Sequence, residues 1–132
     1  MVGAQLVGDD GPSGPYELQA ALTAPGSGAE LASADVRETG QGRVVTLRSS
    51  ELPVLAEGEY YALWFVGPED SPSNPDRISA GTFHPDAQGR TDVTFHAAVD
   101  PDKYPVVAVT EEPGDGDPGP TRPDVLRSRA AD

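Results

Sequence analysis

The sequence predicts an all-β protein: an antiparallel β-sandwich of about seven or eight short strands, immunoglobulin-like in general architecture. Three observations carry this expectation. Apolar residues recur at the two-residue period of a strand in segment after segment, and no segment shows a convincing helical period. Fifteen glycines and fourteen prolines among 132 residues break the chain into short pieces, as a succession of turns requires. One stretch, Glu59-Tyr60-Tyr61-Ala62-Leu63-Trp64-Phe65-Val66, holds the only Trp, two of the four Tyr and one of the three Phe. Its aromatic and β-branched content favours a strand, and because both of its faces are apolar it reads as a central one. A closed barrel is the alternative architecture.

In order along the chain, residues 1–15 contain Gly8-Asp9-Asp10-Gly11-Pro12-Ser13-Gly14-Pro15, too polar and turn-rich to pack, and read as a linker or loose arm. The folded domain is expected over residues 16–127, with 128–132 as a tail. From Tyr16 to Thr23, the residues Tyr16, Leu18, Ala20 and Leu22 alternate with more polar ones, the mark of a half-buried strand. Ala32, Ala34 and Val36 are predicted to face inward on a second strand, and Gly40-Gln41-Gly42 turns it into a third, Arg43–Arg48. Leu52-Pro53-Val54-Leu55 then crosses to the central strand. Pro53 cannot join a hydrogen-bonded ladder, and Gly58 permits the turn that follows.

After the central strand, residues 67–76 hold three prolines and three acids and are expected to form an exposed loop. Ile78–Phe83 and Thr91–Ala97 flank Pro85-Asp86-Ala87-Gln88-Gly89, which reads as the turn of a hairpin. Tyr104–Thr110 is a buried strand, and Glu111–Pro120 is too rich in Pro and Gly for regular structure. Asp124–Arg127 is a candidate closing strand.

Charge and composition exclude several functions. Nine basic residues against 22 acidic ones give a net charge of −13, which repels nucleic-acid phosphates and anionic membrane surfaces. The absence of cysteine removes disulfides, thiolate nucleophiles and Cys-type zinc sites. The longest apolar run, Tyr60–Val66, is far shorter than the roughly 20 residues of a membrane-spanning helix. Met1-Val2-Gly3-Ala4 has neither the charged nor the apolar region of a secretion signal.

No constellation of catalytic or ligating residues emerges. His84 and His96 would stand on the order of 20 Å apart if Ser79–Phe83 paired with Thr91–Ala97, at ~3.3 Å per residue, too far to share a metal. Glu111, Glu112, Asp115 and Asp117 offer oxygen ligands close in sequence, but without the spacing of a calcium loop they read as a hydrated acidic run. Asp100 with Asp102, and Glu69 with Asp70, sit in turns where water keeps carboxyl groups ordinary. No nucleophile elbow or zinc-binding helix motif is present. Tyr60, Trp64 and Tyr104 are candidates for an aromatic ligand platform, although core packing is the better reading, with Trp64 as the keystone. The expectation is a non-enzymatic domain with no catalytic, metal or cofactor residues and no cofactor.

With those segments placed, the sequence resembles the extracytoplasmic C-terminal domain of anti-sigma factors of the anti-sigma-K type. The resemblance rests on Leu52-Pro53-Val54-Leu55-Ala56-Glu57-Gly58, Tyr60-Tyr61-Ala62-Leu63-Trp64, Ser79-Ala80-Gly81-Thr82-Phe83, Pro85-Asp86 and Gly89-Arg90. It continues through Ala108-Val109-Thr110-Glu111-Glu112-Pro113-Gly114-Asp115-Gly116-Asp117-Pro118 to Val125-Leu126, roughly residues 16 to 127. It implies a sensory, protective or docking domain outside the membrane, in a parent that spans it once. The parent would grip a sigma factor through a cytoplasmic module absent from these residues and release it when envelope proteases cut the chain. Membrane attachment would come only through a transmembrane helix that these residues also lack. The alternative is a stand-alone secreted binding or adhesion sandwich that uses residues 67–76 and 111–120.

Overall fold

A computed structural model describes residues 16–71, 73–114 and 123–128. Its strands are β1 (Tyr16–Thr23), β2 (Glu30–Thr39), β3 (Gly42–Ser49), β4 (Tyr60–Val66), β5 (Arg77–Phe83), β6 (Thr91–Ala97), β7 (Val106–Glu112) and β8 (Asp124–Ser128). No helix occurs among the described residues. All eight strands join one antiparallel sheet in the order β5-β4-β7-β8-β1-β2-β3-β6.

The sheet is folded over on itself, because the inward residues of β1, β2 and β3 pack in the same core as those of β4, β7 and β8. Leu22, Ala32, Ala34, Val36, Val45 and Leu47 from one half meet Tyr61, Leu63, Phe65, Val107, Val109 and Leu126 from the other. The expected sandwich is therefore one continuous sheet, close to a closed barrel. Its halves are joined where β8 meets β1 through two residue pairs, Leu22 with Ser128 and Thr23 with Arg127.

The opposite seam lies between β5 and β6, and here the structure corrects the sequence reading. These strands are not a hairpin: β5 pairs with β4 through Phe83 opposite Tyr61, and β6 pairs with β3 along its whole length. The seven residues from His84 to Arg90 exceed the usual hairpin loop of 2–5 and are long enough to cross between the halves. Packing favours the crossing. The Tyr61 and Phe83 rings stack at 5.4 Å, and the Phe83 and Phe95 rings meet edge to face at 6.0 Å. Gly81 faces the Phe95 ring so closely that a Cβ there would stand 2.6 Å from Cδ1. A register shift beside Gly81 completes the local bend, so this glycine both bends its strand and admits a bulky neighbour.

β4 is interior, flanked by β5 and β7, as its two apolar faces predict. Tyr61, Leu63 and Phe65 enter the main core. Trp64 does not. It lies on the outer face with Ala62, Val66, Val106 and Ala108 in a second, smaller cluster, so the keystones of the core are Tyr61 and Phe65. Glu111 and Glu112 belong to β7 rather than to a loop, because the ladder with β4 continues to Tyr60 opposite Glu112.

Candidate functional site

Two sets of described polar groups tie distant segments together: one on the outer face of β4 and β7, the other at the ends of the long connections. On the outer face the key side chain is Arg77, at the start of β5 and only 8% exposed. Its Nε and Nη2 donate to Asp70 Oδ1 and Oδ2 at 3.1 and 2.7 Å, and its Nη1 donates to Asp124 Oδ1 at 3.0 Å. The guanidinium carbon also stands 5.8 Å from the centre of the Trp64 ring, within cation–π range. One side chain thus ties the loop after β4 and the last strand β8 to the aromatic cluster. The rigid fork of arginine suits this task, since it meets a carboxylate in two parallel bonds.

Asp70 is not the hydrated turn acid that the sequence suggested. The Arg77 guanidinium holds its carboxyl below the usual range, against an opposing effect of burial, and the Asp76 backbone N–H adds a bond at 2.8 Å. The loop is closed by Gly67 N–H donating to Asp76 O at 2.8 Å. Arg127 completes the network by donating to Asp124 Oδ2 at 2.8 Å. Such an arrangement fastens chain segments; each carboxylate is engaged by a guanidinium and none faces an open cleft.

Deeper on the same face, Trp64 Nε1 donates to Thr110 Oγ1 at 2.9 Å, and Thr110 Oγ1 donates to Glu112 Oε2 at 2.5 Å. Thr110 is fully buried and Glu112 is 2% exposed. Glu112 is therefore withdrawn from the acidic run to which the sequence assigned it. Asp115 and Asp117 lie outside the described residues.

The second polar concentration holds the crossover between β3 and β4. Tyr61 Oη donates to Pro53 O at 2.7 Å. Leu55 N–H donates to His84 Nε2 at 3.2 Å, and His84 Nδ1 meets Pro85 O at 2.8 Å. Burial, with a lesser effect of the Glu111 charge, pushes the Tyr61 phenol up to about 12.

The remaining candidates fall apart on placement. His84 follows β5 while His96 lies on β6 beside Val44, and no metal-holding group of three or more His, Asp or Glu occurs among the described residues. Asp100 accepts from the Asp102 backbone N–H at 2.9 Å and shapes its own turn. Tyr104 packs against the main core while Trp64 lies in the outer cluster, so the aromatic platform is not assembled. A shallow groove of about 500 Å³ beside Leu31, Arg48 and Thr91 carries mixed charge and no ring to stack on. Sequence reasoning missed Arg77 and Thr110 altogether. The available signal was a lone arginine opening a strand right after an acidic, proline-rich loop.

The structure thus defines an all-β domain whose described polar groups fasten its connections and do not converge on a reacting centre. A family model described as anti-sigma-K factor RskA, C-terminal, matches residues 2–125, and the chain belongs to that family. It is a regulatory domain of the anti-sigma factor type, a family whose partner is a sigma factor. No curated protein and no solved structure matches the chain significantly. Among the described residues, no helix is long and apolar enough to cross a membrane.

Proposed function

We propose that this domain is the extracytoplasmic part of a membrane-anchored anti-sigma factor, and that its folded state withholds the parent from envelope proteases. Family membership supports the anti-sigma setting. The observation that carries the protective role is the position of β1. This first described strand lies inside the sheet, paired with β2 on one side and with the last strand, β8, on the other. A chain arriving from an N-terminal anchor would enter a sheet sealed by the last of the described strands. Backbone held in a ladder is closed to proteases, which cut chain that has opened locally or globally, and cleavage then follows the population of the open state. Destabilising the domain would therefore raise cleavage and release the sigma factor.

The test uses the full-length parent in cells that report sigma-dependent transcription. Phe65→Ala, which removes a fully buried ring, is expected to raise both cleavage of the parent and transcription. The exposed Glu57→Ala should leave both unchanged. If the Phe65→Ala domain is unfolded in isolation while the parent stays intact and transcription stays silent, the reading fails. It also requires an apolar stretch of about 20 residues encoded upstream; a cleavable signal peptide there would sink it.

A further inference from the structure

His84, in the turn after β5, meets a crossover residue 29 positions earlier in the chain, and its two hydrogen bonds suit one form of the ring. Pro85 O is a carbonyl and only accepts, so Nδ1 must carry the proton that it shares with that oxygen. Leu55 N–H only donates, so Nε2 must be bare. Both bonds exist together in one species alone, the neutral imidazole with its hydrogen on Nδ1. A proton added at Nε2 would set two N–H groups face to face and expel the Leu55 amide.

We propose that His84 is a pH-operated latch, which when neutral ties the crossover between β3 and β4 to the turn after β5, and when protonated lets it go.

The setting isolates His84 as the member that switches. Three side chains from outside the crossover hold its backbone, Ser49 at Glu51, His84 at Leu55 and Tyr61 at Pro53, and a serine hydroxyl does not titrate. The phenol of Tyr61 stays protonated across the range in which histidines titrate, between about pH 5 and 8. Further along, Gly114 lies so close to Gly58 that a side chain there would overlap the Gly58 carbonyl, a contact without titrating groups. The charged groups on the segments meeting at the ring are Glu51, Glu57 and Glu59 in the crossover and Asp86 and Arg90 in the turn. Asp86 and Arg90 pair with each other at 3.4 Å. Bonds from the Arg90 and Gln88 backbone N–H groups keep the Asp86 carboxyl below the usual range, so it stays ionised while an imidazole titrates. Release matters to the fold because the crossover carries Leu52, 4% exposed, and Leu55 onto the main core. The latch stands whether or not the domain guards a cleavage site.

Amide hydrogen exchange followed by NMR on the isolated 132-residue chain tests this, with rates corrected for the intrinsic effect of pH. Protection of the Leu55 amide is expected to fall about tenfold between pH 7.5 and pH 5, the loss of one net hydrogen bond. The Ser27 amide, bonded to Ala24 O at 3.1 Å, should not respond. His84→Gln, whose amide oxygen accepts without titrating, should leave Leu55 protection independent of pH. His96→Gln should leave the wild-type response intact. Ring nitrogen shifts at pH 7.5 should report hydrogen on Nδ1. A Leu55 amide equally protected at both pH values, the same pH response in His84→Gln, or hydrogen on Nε2 would each overturn the proposal.

Discussion

Gly81 and Phe95 close the seam of the sheet by contact instead of hydrogen bonding, with the Phe95 ring where the Cβ of any other residue at position 81 would stand. The backbone there has φ of +146°, a region that L side chains rarely adopt. Gly81→Ala therefore meets both a clash and a conformational strain, and is expected to lower the unfolding free energy by about 3 kcal/mol. Urea denaturation checks this. Phe95→Leu, which relieves the clash, should recover part of the loss in the double variant, and strict additivity would show that the two residues do not meet.

Arg77 should be among the least replaceable polar residues. Arg77→Ala leaves Asp70, 9% exposed, without the guanidinium that engages both of its oxygens. Breaking a buried pair from one side costs about 3 kcal/mol or more. Arg77→Lys should recover little, since a single ammonium cannot match a two-pronged partner and also reach Asp124.

The same pair sets a pH dependence. Asp70 has its folded pKa below the ordinary value of 3.8 because of Arg77. Its contribution is present above about pH 4 and is lost as pH falls through the folded value. Thermal melts of the wild type should therefore weaken on acidification below about pH 4. Asp70→Asn should lower stability at pH 7 and flatten that acid limb; an unchanged limb would assign it to other carboxyl groups.

The sequence carried most of the strands and little of what fastens them. Ala32, Ala34 and Val36 alternate cleanly and all point into the core, because a one-residue slip would put that whole row in water. The two apolar faces of β4 correctly announced an interior strand. Pairing between β5 and β6 was misread because adjacent strands with a turn between them have the local pattern of a hairpin whichever neighbours they take. That Phe95 packs against Gly81 was not legible, since the two lie on strands that do not pair. Arg77 with Asp70 and Asp124 escaped notice because an ion pair between the first residues of two strands, 47 positions apart, has no period. Glu112 was hidden for a different reason. Glu111-Glu112-Pro113-Gly114 has loop composition, yet the ladder from Tyr60 carries the strand through it.

Thr110 is a buried threonine fully in use. It accepts from the Trp64 indole and donates to Glu112. Thr110→Val keeps the shape and removes both bonds, so the buried indole N–H loses its acceptor and a buried carboxylate loses a donor. The expected cost is about 2–3 kcal/mol, mostly desolvation that is no longer compensated. Tryptophan emission should report the changed surroundings of the only Trp. A stability within error of wild type would show that these bonds do not form in solution.

Thr91 is the opposite case, and the same substitution should reverse sign. It opens β6 at 4% exposure, and its Oγ1 is buried without a hydrogen-bond partner. A hydroxyl in that position has given up water for nothing, so replacing it with a methyl group of the same shape removes a penalty and no interaction. Valine is also as well suited as threonine to a strand. Thr91→Val is expected to raise the unfolding free energy by about 1 kcal/mol in urea titration, with an unchanged slope. A loss of stability would mean that the hydroxyl has a partner in solution, most simply an ordered water at the mouth of the groove beside Ser49 and Arg90. Measured together, the two threonine variants separate the effect of burial from the effect of pairing, since both residues are buried and only the Thr110 hydroxyl is answered.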